Sequence, residues 1–516
     1  METAKITKNT SVAEIVKRCP GARRIFDEHG LRGCGGEHGP NESLSFFAAV
    51  HQANLDELLR AINAEVANPS KSYVYRESLQ DHIFRRFFKA GVIIVLTVGC
   101  LWGAIDLLQI ALRGSFLQVH LLPAIHAHAH AMIFGWVGMF VMGFAYQSFP
   151  RFKNTRLWGP ELANGSFYLL AIGIGCRVIA EIVAPVAVGL ALGAVSAICE
   201  LSAVLLFMLV LYRTARQSIE PRSRYEKFIA TSVLWFLLGT IGEVVFFFAK
   251  ATAHSQQVLI RRIALIDGPL RDIQLLGFAA LIIAGVSQRF VPHVYGLGKP
   301  VRDRQKLIFW LMNGSLILNI ASYVLFLTTY NIYFVIGLEF AYLLMPLWAA
   351  LLCVQLGVFR RPSQPDRTFK LIRAAYIWLL IASGMMPFFP LYSALTHQMF
   401  AHTYMGAHRH AFTVGFISMM ILGVSSRVTP ILAGIDSKQM NSLWAPFLLF
   451  NAGCSGRVVL QVLSDFFPKM AYSLIGVTGF IELVALLWWG IELWRTMNLG
   501  AKRSNPIPLS LPVPAN

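Results

Sequence analysis

The residues able to do chemistry in this sequence are concentrated among its histidines. His126, His128 and His130 fall within five residues, and His408 and His410 repeat the His-x-His spacing far downstream. Each cluster opens a long apolar stretch, where an ionisable side chain is costly and by default marks a functional site. Neutral imidazole is the commonest metal ligand and an axial ligand of haem iron, so ligation of a metal or of haem is the leading chemistry. Bonding to backbone carbonyls and a proton relay are the alternatives. Residues two apart on an α-helix differ by about 200°, so a His-x-His pair points to opposite sides and one helix can serve two centres. His120, His254, His397 and His402 lie between apolar stretches, and with His126 they could hold a copper ion. Taken singly each reads as a solvated loop histidine, with His397 and His402, just ahead of the second cluster, the foremost exceptions.

The elements that must position these residues follow from composition. Only 14% of the 516 residues are charged and 56% are hydrophobic, against about a quarter charged in soluble domains. That excludes a soluble enzyme and a disordered chain. Twelve apolar segments, at about 88–113, 124–148, 160–184, 186–212, 227–252, 270–293, 306–328, 333–358, 370–395, 404–432, 443–464 and 470–495, have the length that crosses a bilayer. The net charge of +18 comes from basic residues in short loops, such as Arg151, Lys153 and Arg156 or Arg360, Arg361 and Arg367. This is the positive-inside pattern, and no nucleic-acid partner follows from it. It predicts a multi-pass protein of the inner (cytoplasmic) membrane, in contact with lipid, with both termini cytoplasmic. Arg261, Arg262 and Arg271 are then the main basic cluster of the outer loops. The seven cysteines show no CxxC and no paired spacing, so neither a disulfide framework nor a zinc site is expected.

Residues 1–68 read as a small soluble helical domain. Ser11 with Glu14 spells a capping box, Pro20 opens a second helix that stops at Gly30, and Asn54 starts a last helix over Leu55–Val66. The loop Gly33-Cys34-Gly35-Gly36-Glu37-His38 lies between them. The polar first ~80 residues contain no signal-like apolar run. Residues 69–87 read as a juxtamembrane linker, 88–496 as the membrane domain and 497–516 as a cytoplasmic tail.

An internal repeat links the two histidine clusters. His130 is followed by Gly135, Gly143 and Pro150; Asp272 by Gly277, Gly285 and Pro292; His410 by Gly415, Gly423 and Pro430, all at the same offsets. The steps, 272 − 130 = 142 and 410 − 272 = 138 residues, each correspond to four segments. The expected fold class is therefore all-α, a polytopic membrane protein of about twelve helices in a pseudo-three-fold arrangement. In a cyclic arrangement the face that segment 2 turns to segment 10 is not the face segment 10 returns. A bis-histidine haem between them pairs non-equivalent positions, His128 with His410 or His130 with His408. The left-over imidazoles face the third repeat, where Leu270 and Asp272 are not usual haem ligands. A second haem there keeps an open position, as a small diatomic ligand requires.

Twelve segments, a three-fold repeat and histidines on segments 2 and 10 resemble subunit I of the haem–copper oxidase superfamily. The local motifs are closer to the NnrS family, haem- and copper-containing membrane proteins linked to nitric oxide. They are His128-Ala-His130-Ala-Met132-Ile-Phe134-Gly135, Gly285-Val-Ser-Gln-Arg289-Phe-Val-Pro292, and His410-Ala-Phe-Thr413-Val-Gly415 with Met420 and Arg427. Ala131 stands where that family usually has Glu, and Thr429–Gly434 lacks the family's His. The first 68 residues resemble the short domain that begins iron–sulfur-centre repair proteins, through Thr7–Val16, Phe26…His29-Gly30, the Cys-Gly-Gly loop and Leu55–Leu59. The resemblance implies haem of b type, two in number, a copper ion, an electron donor, and nitric oxide or another small diatomic as ligand. It implies a protein that binds or processes nitric oxide, under nitrosative stress or beside denitrification. The alternatives are a haem or copper transporter or assembly factor, and a divergent haem–copper oxidoreductase such as a nitric oxide reductase. Segment 306–328 has no His and segment 270–293 ends in His293 alone, so the second metal of such a reductase lacks its usual ligands and enzymatic turnover is left open.

Overall fold

A computed structural model describes residues 6–69, 75, 78–116, 119–184, 186–298, 300, 302–363, 366–398, 401–437 and 440–504. The described residues are helical with no β-strand, apart from one isolated bridge between Ser11 and Ser43. The amino-terminal domain has four helices, α1 (Val12–Arg18), α2 (Ala22–Glu28), α3 (Leu44–His51) and α4 (Leu55–Ala67). Ser11 caps α1 by accepting from the Glu14 amide, and Asn54 caps α4 by accepting from Asp56 and Glu57. Helix α3 was not foreseen; its signals are the Ser43 cap, which accepts from the Phe46 amide, and the inward spacing Leu44, Phe47, Ala48. Val12, Ile15, Phe26, Leu44, Leu58 and Ile62 close the core.

Twelve helices long and apolar enough to cross a membrane follow: α5 (Leu79–Arg113), α6 (Leu122–Phe152), α7 (Pro160–Val183), α8 (Ala187–Gln217), α9 (Tyr225–Ala251) and α10 (Gln256–Val294), then α11 (Gln305–Thr329), α12 (Tyr333–Leu356), α13 (Phe369–Thr396), α14 (His402–Leu432), α15 (Trp444–Leu463) and α16 (Pro468–Leu499). Each expected segment is one of these helices. Helix α10 starts well before its apolar run, so Arg261, Arg262 and Arg271 are helical and not loop residues as expected, and Arg271 is buried.

Helices α6, α10 and α14 form the inner set. Of their most apolar windows 78, 72 and 83% is buried, against 33–50% for the other nine. The repeat is physical. A Cβ at Gly135 would meet Ile94 at 2.5 Å, at Gly277 Trp235 at 2.8 Å and at Gly415 Trp378 at 2.5 Å, so each glycine admits a side chain from the helix before it. Gly143, Gly285 and Gly423 likewise admit Phe87, Phe228 and Ile372 at 2.6–2.8 Å. One residue beyond His130, Asp272 and His410 each inner helix widens into a π-helical stretch, Ala131–Gly138, Ile273–Ala280 and Ala411–Ser418. Such stretches are rare and frequent at functional sites.

The amino-terminal domain docks on the ends of all three inner helices. Arg151 of α6 donates to the Arg32 carbonyl, Arg289 of α10 to the Val50 carbonyl at 2.9 Å, and Arg427 of α14 to Glu42 at 2.9 Å. The Gly35 amide donates to the Leu432 carbonyl at 3.3 Å. A domain this small has a marginal core of its own; the docking adds to it. At this junction burial, together with Arg289, Arg151 and His29, pushes the His51 imidazole down to about 3. The folded value lies below the ordinary 6.5, so docking is unaffected above pH 6.5 and weakens as pH falls from there toward 3, by up to ~1.4 kcal/mol per unit. Amide exchange across residues 12–67 is expected to quicken between pH 7 and pH 5, beyond its intrinsic pH dependence, and His51→Gln is expected to remove that component.

Candidate functional site

The inner helices divide the bundle into three compartments, and each contains one register of the repeat. In the first, between α6, α7, α8, α9 and α10, His130 is fully buried. Its Nε2 donates to Glu200 at 2.7 Å and its Nδ1 lies 3.7 Å from Glu243. Glu243 also accepts from Arg177 at 2.9 Å, Arg271 at 2.6 Å and Gln274 at 2.9 Å. Glu181 takes Arg177 at 3.0 Å and Lys250 at 2.7 Å, and Asp267 takes Arg271 at 3.1 Å and Arg409 at 3.2 Å. Four carboxylates (Glu181, Glu200, Glu243, Asp267) thus meet four cations (Arg177, Lys250, Arg271, Arg409) around a single imidazole. Burial of so many charges is tolerable only with this compensation. His126 is buried beside the network, its ring edge-on to Phe246 at 5.2 Å.

The third compartment, between α14, α15, α16, α5 and α6, has the same plan with the pairing removed. Arg177 and Arg457 share a register, as do Glu181 and Gln461, again separated by 142 + 138 residues. Gly173 and Gly453 share another, and a Cβ on either would meet the Cγ of Glu200 or Glu482 at 2.6 Å. Arg457, however, is buried with no hydrogen-bond partner for Nε or Nη1 among the described residues, and Gln461 Oε1 and Glu482 Oε1 are equally unpartnered. His410 faces this group, its Nε2 3.9 Å from Glu482, with Arg457 and His128 as its charged or ionisable neighbours. His128 donates from Nδ1 to the Gly99 carbonyl at 2.9 Å, which leaves Nε2 with its lone pair. Gly103 makes room for that ring, since a Cβ there would lie 2.6 Å from His128 Cε1.

The second compartment, between α10 and α14, has no histidine at the repeat position. Asp272 accepts from Asn319 at 2.8 Å. His408 donates from Nδ1 to the Ala382 carbonyl at 3.0 Å, as His128 does to Gly99, and its Nε2 too keeps a lone pair. His120, His397 and His402 are exposed, and His397 closes α13 with φ 55°. Among the described residues no three His, Cys, Asp or Glu side chains converge as they would around a metal ion.

Of the residues singled out from sequence, His128 and His410 are electrostatic neighbours, whereas His130 is engaged by Glu200 and lies 3.7 Å from Glu243. The intramembrane charges Arg177, Glu181, Glu200, Glu243, Lys250, Arg457 and Glu482 were missed. Their signal was available, as isolated charges inside apolar segments. The residues of the third compartment suit a bis-histidine haem on two grounds: two imidazoles from different helices, and beside them a buried guanidinium whose Nε and Nη1 have no hydrogen-bond partner among the described residues. Compared with known families, residues 79–498 match the one described as "NnrS protein", with residues 1–78 outside the match. No curated protein matches the chain.

Proposed function

The chain belongs to the NnrS family, and from that premise we propose that it is a haem-bearing integral membrane protein that binds or processes nitric oxide. One observation carries this reading. His128 and Arg457 are ionisable neighbours of His410, and the buried Arg457 guanidinium has no hydrogen-bond partner for Nε or Nη1 among the described residues. Glu482 and the Phe116 ring offset part of that charge, but buried nitrogens without hydrogen bonds remain costly, and a haem carboxylate would satisfy them. His128 and His410 would hold a b-type haem through their free ring nitrogens, with His128 kept in one tautomer by the Gly99 carbonyl. His408, set the same way by Ala382, would hold a second haem alone, whose iron could then take nitric oxide. Bound haem supplies iron that takes an electron or a diatomic ligand; the chain supplies its orientation, its counter-charge and an apolar surround. Basic loop clusters lie on the face that the amino-terminal domain covers, which supports an inner-membrane protein with both termini cytoplasmic.

The test is occupancy. Protein purified in detergent is expected to carry stoichiometric b-type haem by pyridine haemochrome, with a low-spin spectrum and a high-spin fraction that shifts on adding nitric oxide. Labile, sub-stoichiometric haem would instead indicate a transporter or assembly factor. A reporter fused after Asn516, or at Met1, is expected to be cytoplasmic; an external signal from either would refute the topology.

A further inference from the structure

A cavity of about 90 Å³ lies on the pseudo-three-fold axis, in the half of the bundle nearer the amino-terminal domain. Its inner wall repeats: Phe144, Val286 and Val424 occupy one register of the three inner helices, and Ala145, Ser287 and Ser425 occupy the next. The steps between these residues are the same 142 and 138 that relate His130, Asp272 and His410. The first repeat places a phenylalanine where the other two place valines, so the space is what two missing aromatic rings leave on the axis. On the domain side Phe152 closes the wall. Arg289 lies over that ring at 5.5 Å and donates to the Val50 carbonyl of the docked domain.

We propose that this axial cavity is a binding site for one small apolar molecule of gas size. Water is a poor occupant, because it needs two to four polar partners. The Ser425 hydroxyl is already committed to the Ile421 carbonyl, which leaves the Ser287 hydroxyl as the one uncommitted polar side-chain group among the described residues of the wall, fewer than a water needs. Apolar cavities on the order of 150 Å³ stay dry and take xenon or benzene; this smaller one admits a diatomic gas or a xenon atom. The three inner helices supply most of its wall, and its volume is too small for a length of acyl chain. That the natural occupant is nitric oxide rests on the function proposed above; the capacity of the cavity does not. Nitric oxide is uncharged and apolar enough to partition there, which makes the cavity a reservoir on the axis that the haem compartments surround.

Xenon binding to the full-length protein tests this, by xenon-129 saturation transfer in detergent or by anomalous diffraction under xenon pressure. Wild type is expected to show one saturable axial site. Val424→Phe, which gives the third repeat the side chain of the first, is expected to weaken xenon binding at least tenfold, with the haem spectrum unchanged. Phe144→Ala enlarges the cavity and is expected to retain xenon and to admit benzene, so a poorly folding Val424→Phe does not decide the matter. Absence of xenon in wild type, undiminished binding in a folded Val424→Phe, or an acyl or detergent chain filling the cavity would overturn the proposal. If xenon binds but no haem is found, the site stands and the nitric oxide assignment falls.

Discussion

His410→Ala and His128→Ala are each expected to abolish the low-spin haem signal. Both imidazoles face the compartment that contains Arg457, and His410 has no hydrogen bond to Glu482 at 3.9 Å that would tie it elsewhere. A bis-histidine iron that loses one axial ligand becomes high-spin or is released, so the change is close to all-or-none. His408→Ala is expected to leave that signal in place and to remove the high-spin, nitric oxide-responsive fraction, because its ring is set from Ala382 on another helix face. His130→Ala is expected to leave both spectra, since its Nε2 is held by Glu200 at 2.7 Å; its effect falls on stability. Optical and electron paramagnetic resonance spectra of the four purified variants check the set. Loss of the low-spin signal in His130→Ala and His408→Ala, with His128→Ala and His410→Ala intact, would reverse the pairing.

The second large effect separates two arginines of one register. Arg177→Met removes the cation that Glu243 and Glu181 share inside the bundle, leaving three cations to four carboxylates, with Arg271 still on Glu243 and Lys250 on Glu181. Removing one partner of a buried charge group costs about 3–5 kcal/mol, and the thermal unfolding temperature is expected to fall by many degrees with or without haem. Arg457→Met removes a guanidinium whose Nε and Nη1 have no hydrogen-bond partner among the described residues. Without haem this variant is expected to be as stable as wild type or more so, and to hold haem at least tenfold more weakly. Unfolding of haem-free and haem-loaded forms of both variants makes the comparison. Equal destabilisation of the two haem-free variants would make Arg457 a structural residue and remove the ligand role assigned to it.

Periodicity and length fix the twelve spans, because a helix must satisfy its own backbone in lipid and an apolar run of ~20 residues does so. The three-fold repeat is legible for a similar reason. Gly135, Gly277 and Gly415 each stand against a side chain that leaves no room for a Cβ, and such contacts are written as glycine at fixed intervals. The His-x-His spacing likewise assigns two faces to one helix before any neighbour is known. Sequence alone could not choose between His128–His410 and His130–His408, since both satisfy the cyclic rule. The charge difference on which the proposed pairing rests exists only in the tertiary structure: α8 and α9 bring Glu200 and Glu243 to His130, whereas α15 brings beside His410 an Arg457 whose Nε and Nη1 have no hydrogen-bond partner among the described residues. Arg271 shows the same limit, reading as a loop cation until α10 extends back to Gln256 and turns it onto Glu243 and Asp267. A charged side chain has an intrinsic preference for water, and only the position of a counter-charge from a distant helix determines whether it is buried. That position is a property of packing between segments far apart in the chain, which no local pattern encodes.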